Sequence, residues 1–137
     1  MKKIALILFS LALIVAAKSC KKDTKNTENF SEVTKSRILG RWNFESGSII
    51  TTNPPNPEKT EKLNGRPGMY FEFLASGISF NNLEGDAEEP YAVISSSSIR
   101  IGEYVYVIKE LTTSRFVLES VQSNTTASIR FTMIFTR

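Results

Sequence analysis

Residues 127–136 read ASIRFTMIFT. Ile129, Phe131, Met133 and Phe135 alternate with Arg130, Thr132, Ile134 and Thr136. A strand repeats every two residues and a helix every 3.6, so this stretch is a strand with one wet face and one apolar face. The same period recurs backwards along the chain. Glu103 and Lys109 mark a wet face that turns Tyr104, Tyr106 and Ile108 inward. Arg115 and Glu119 do the same for Phe116 and Leu118, and Glu72 for Met69, Phe71 and Phe73. The strand at 90–95 has no charged marker, and its phase stays open.

Eight strands are predicted: 41–50, 68–74, 78–83, 90–95, 98–101, 103–109, 115–121 and 127–136. Ser76-Gly77 and Gly102-Glu103 are tight-turn signals, and 111–114 and 123–126 are short polar loops. No connection is long and periodic enough for a crossover helix, which disfavours a parallel sheet. The prediction is an all-β, eight-stranded antiparallel up-and-down barrel. An even strand count lets the last strand pair with the first and removes exposed edges. Before the barrel, 31–39 (SEVTKSRIL) predicts a short helix with Ser31 as its N-cap, ending at Gly40.

The N-terminus carries a different signal. Lys2 and Lys3 precede an apolar run from Ile4 to Ala17. That run is shorter than the about 20 residues needed to span a bilayer and reads as a signal peptide over 1–19. Ala17-Lys18-Ser19-Cys20 resembles the lipobox of bacterial lipoproteins. The resemblance implies that Cys20 becomes the mature N-terminus and carries acyl chains such as palmitate. Stable anchoring needs more than one chain, because a single chain binds membranes at only about 10⁴ M⁻¹. Lys21 in place of an aspartate argues, by the same resemblance, against retention at the inner membrane. The implied location is the cell envelope, as an outer-membrane lipoprotein; periplasm-facing and surface-exposed orientations both stay open. Residues 20–30 are polar and read as a flexible tether. The barrel domain is then 31–137.

Charge and composition exclude several classes. The chain holds 17 Lys and Arg against 14 Asp and Glu. From Cys20 onward the count is 14 against 14, and from Ile38 it is 9 against 11. A domain without excess positive charge has little grip on phosphate backbones, so nucleic acid is not an expected partner. There is no histidine and one cysteine. Triads built on His, His/Cys zinc sites and intrachain disulfides are thereby removed. No cofactor, metal or catalytic residue is predicted. The acidic run Glu84-Gly85-Asp86-Ala87-Glu88-Glu89 lacks EF-hand spacing and reads as a solvated hairpin loop.

Gly40-Arg41-Trp42 opens the first strand after the short helix and resembles the G-x-W motif of lipocalins. The segment 108–118 (IKELTTSRFVL) and the ending 131–137 (FTMIFTR) resemble the lipocalin-like domains of Bacteroidota lipoproteins. The resemblance covers about residues 38–137 and implies a lipocalin-like barrel. It also implies an arginine packed across the motif tryptophan. Strand phase agrees independently: Trp42 shares the inward phase of Phe44, and Arg137 that of Phe135. Gly40, Trp42 and Arg137 are therefore expected to close one end of the barrel.

At the other end lies 51–67, with Pro54, Pro55, Pro57 and Pro67. It is a lid, a disordered insertion, or an insertion that includes a short strand near 58–63; these readings stay open. The aromatics expected inside (Phe44, Phe71, Phe73, Phe80, Tyr104, Tyr106, Phe116, Phe131 and Phe135) predict a filled interior. Any ligand should then sit shallowly at the open end, against Phe71, Phe73, Tyr104, Tyr106 and Phe116. Two functions follow as expectations. One is a lipid-anchored binding protein for a small hydrophobic ligand. The other is a filled barrel whose open-end loops contact another envelope protein. Neither is an enzyme.

Overall fold

The structure, a computed structural model, describes residues 24–137. The leader 1–19 and Cys20 lie outside the described residues. One helix, α1 (Thr24–Ile38), precedes nine strands: β1 (Gly40–Thr52), β2 (Lys59–Asn64), β3 (Tyr70–Phe73), β4 (Ile78–Asn81), β5 (Ala87–Ser95), β6 (Ser98–Ile101), β7 (Tyr104–Leu111), β8 (Arg115–Ser123) and β9 (Ser128–Thr136).

Eight of the strands, β1 and β3 to β9, form a closed antiparallel barrel in chain order. Closure comes from β9 pairing along β1, from Asn43 opposite Thr136 to Thr52 opposite Ser128. The ninth strand, β2, settles the reading of 51–67. It pairs with the far half of β1, from Ser46 opposite Asn64 to Thr51 opposite Lys59. β3 is short and covers only the first residues of β1, from Gly40 opposite Phe73 to Asn43 opposite Tyr70. Thus β2 occupies the stretch of β1 edge that β3 leaves uncovered, while its own side chains stay exposed.

A bulge at Glu45, between Phe44 and Ser46, resets the phase of β1. Gly65 lies against this bulge, its N–H donating to the Glu45 carbonyl at 2.9 Å. A Cβ at Gly65 would fall on the Phe44 carbonyl oxygen and 2.6 Å from the Glu45 oxygen. Only glycine lets the β2–β3 link cross that close.

Two expectations are corrected. The helix begins at Thr24, so it runs through Ser31 and into the segment read as tether. It is held by packing of its C-terminal half, where Thr34 and Ile38 are buried and Val33 is exposed, so Ser31 lies within the helix and not at its cap. Phe80 stands on the outer face, paired with Glu72 and Glu88, and Ser79 faces in. The inner position opposite Phe73 takes a small residue because Phe71 and Phe73 stack there, with ring centres 5.1 Å apart. The Ser79 hydroxyl is satisfied by donating to the Glu89 carbonyl at 3.0 Å.

Candidate ligand-binding site

The two ends of the barrel differ. At the closed end, Trp42, Phe73, Phe116, Phe135, Ile38, Ile99 and Leu118 are fully buried together. Trp42 meets Phe116 with ring centres 5.3 Å apart, and Phe73 meets Tyr91 edge-on at 5.1 Å. Beneath them the helix terminates on this plug. Trp42 Nε1 donates to the Ile38 carbonyl at 2.8 Å. Arg137 donates to the carbonyls of Leu39, Arg37 and Thr113 at 2.9, 3.0 and 3.1 Å. The last carbonyls of a helix lack partners within it, and a cation there also meets the negative end of the helix dipole. Gly40, at φ +94°, turns the chain from helix to strand with 3.7 Å between its would-be Cβ and Arg137.

At the opposite end the interior is open. A cavity of about 820 Å³ lies between the β1–β2 hairpin and the loop before β5. Its apolar wall includes Phe44, Ile49, Met69, Phe71, Phe131 and Met133. Polar side chains share the lining: Asn81, Glu89, Tyr106 and Ser120 on the wall, and exposed charged groups such as Lys62, Arg66, Glu84 and Asp86 at the rim. The expected filled interior is therefore realised over the closed half only. The open half stays empty because Gly47 and Ser120 occupy inward positions there, and Tyr104 sits at the mouth, 48% exposed.

Of the expected ligand-contact residues, Phe71, Tyr104 and Tyr106 line this cavity. Phe73 and Phe116 do not; they belong to the plug beneath it, packed on each other at 6.0 Å. Burial first, and then the charges of Glu89 and Tyr104, push the Tyr106 phenol above its ordinary 10.0, so it stays a neutral hydrogen-bonding group.

Several wall residues escaped the sequence reading, among them Asn81, Ser120 and Glu89. Glu89 was grouped with the solvated acidic loop, yet it lies in β5 in phase with Tyr91 and Val93 and lines the cavity. The signal was present in Tyr91 and Val93, but β5 lacked a marker to fix which face was wet. Comparison of the chain with protein-family models, curated proteins and solved structures finds no match.

Proposed function

We propose that this protein is a lipid-anchored, lipocalin-like binding protein of the cell envelope, holding one small hydrophobic molecule in the open half of its barrel. The observation that carries the reading is the cavity. Its volume of about 820 Å³ suits a small ligand, since ligand sites typically run about 300–1,000 Å³ with apolar walls and a few polar groups. The opposite end is sealed by the Trp42–Arg137 plug, so a ligand enters between the β1–β2 hairpin and the loop at 82–86. Filling the cavity covers apolar surface at about 25 cal/mol per Å², which makes the hydrophobic effect the driving force.

The alternative, a filled barrel that contacts another envelope protein through its open-end loops, rests on a solid interior, and the cavity favours the ligand-holding reading over it. The reading is of a binder and not a catalyst, because the chain has no histidine to move protons and its lone cysteine is the lipid-acceptor candidate. The anchor itself rests on the lipobox resemblance at Cys20.

The test is titration of the purified protein with an apolar fluorescent probe, together with mass spectrometry of an organic extract. Saturable one-to-one binding, displaced by the extracted molecule, supports the reading. Absence of saturable binding overturns it.

A further inference from the structure

Among the described residues lining the cavity, Glu89 is the one acidic or basic side chain that is half-buried; Lys62, Arg66, Glu84 and Asp86 are exposed at the rim. Its side chain leaves β5 on the inner face. Its Oε1 stands 2.6 Å from where a Cβ would lie at Gly102, which places the carboxylate at the β6–β7 turn that leads into Tyr104. Among the described residues no ion pair reaches it. The paired cations are Lys59, Lys109 and Arg115, engaged with Glu61, Glu119, Glu45 and Glu110. Half-buried beside the open mouth, this carboxylate keeps part of its surface accessible to water.

A ligand filling the cavity displaces that water. A carboxylate covered by hydrocarbon and left unpaired is strongly penalised. A neutral apolar molecule therefore binds against this penalty, and an anionic one also meets charge repulsion. A molecule with a protonated amine removes the penalty and gains a charge-assisted hydrogen bond. Tyr104 and Tyr106 line the same cavity, and aromatic rings attract a cation held over them. Resting on the ligand-holding reading above, we infer that the molecule held in the barrel is an amphiphilic amine whose ammonium group docks on Glu89 while its hydrocarbon part lies against Phe71, Phe131 and Met133.

The experiment compares octylamine, octanol and octanoate on the full chain by calorimetric titration at neutral pH. Octylamine is expected to bind about tenfold or more tighter than octanol, with octanoate weakest, as a charged hydrogen bond in a dry site implies. Glu89→Gln should abolish the difference between octylamine and octanol, weakening octylamine and, with the unpaired carboxylate gone, tightening octanol. The rim variant E84Q/D86N should keep the amine preference. Equal affinities for the three probes, or octanoate as the tightest, overturn the inference while leaving a hydrophobic site intact. An amine preference that survives Glu89→Gln, or one lost in E84Q/D86N, overturns the assignment to Glu89. Failure of all three probes to bind removes the ligand-holding reading itself.

Discussion

The Arg137 guanidinium lies over the Trp42 indole ring, 3.9 Å from its centre, and ties the last residue of the chain to the first strand. The pair does three things at once. It covers the aromatic plug, it satisfies the terminal carbonyls of α1, and it bonds to the β7–β8 turn at Thr113. The closed end thus depends on contacts between the two extremes of the barrel sequence.

Trp42→Ala should cost about 3–5 kcal/mol, the range for removing a buried large aromatic. Arg137→Ala should cost less, about 1–3 kcal/mol, because its hydrogen bonds lie toward solvent. A double-mutant cycle by chemical denaturation should give a coupling of about 0.5–2 kcal/mol. Strictly additive losses would show that the ring and the guanidinium act separately.

Gly65 is constrained by space and not by its backbone angles, since its would-be Cβ meets two backbone carbonyls of the β1 bulge. Neither carbonyl belongs to a flexible side chain. Gly65→Ala should therefore destabilise by about 1–3 kcal/mol, as overpacking does. Thermal unfolding measures this, and a wild-type midpoint would mean that the bulge yields at little cost.

Ser120 is the inward residue of β8 above Leu118; it is buried and lines the cavity. Ser120→Phe would place a ring in the empty half of the barrel. Probe affinity should fall about tenfold or more, equivalent to ~1.4 kcal/mol. The unfolding midpoint should not drop by more than about 4 °C, because the ring fills existing space. Full probe affinity in this variant would place the bound probe elsewhere.

Alkaline pH should lower the stability of the barrel through two of its phenols. Burial raises both Tyr91 and Tyr106 above 10.0 in the folded state. Their stabilising contribution is complete below the unfolded value of 10.0 and is lost as pH rises through the folded values. Tyr106→Phe should flatten the fall in stability between about pH 9 and 11. An unchanged slope would show that other groups govern it.

Cys20→Ala tests the anchor. The variant should leave the membrane fraction and appear in the soluble fraction, since acyl chains at Cys20 are the proposed hold on the bilayer. Pelleting with membranes as the wild type does would locate the anchor elsewhere in the chain.

The barrel strands, their order and most of their faces were legible in the residues alone. In β8 and β9, Arg115, Glu119, Arg130 and Thr132 mark the outer face, and a side-chain period of two then leaves a single choice of inner face. The inward phase of Trp42 and Arg137 was legible for the same reason. Tertiary structure decided what alternation does not encode. β2 has no core face, and it exists because β3 is too short to cover the edge of β1. Phe80 faces out because Phe73 needs a small cross-strand neighbour, which only the assembled sheet reveals. Glu89 turns inward because β5 takes its phase from Tyr91, buried at the plug, so a carboxylate near the open end is carried onto the wall. The cavity arises from the same cause: inner-face residues are specified strand by strand, but the space they leave depends on which of them meet across the barrel.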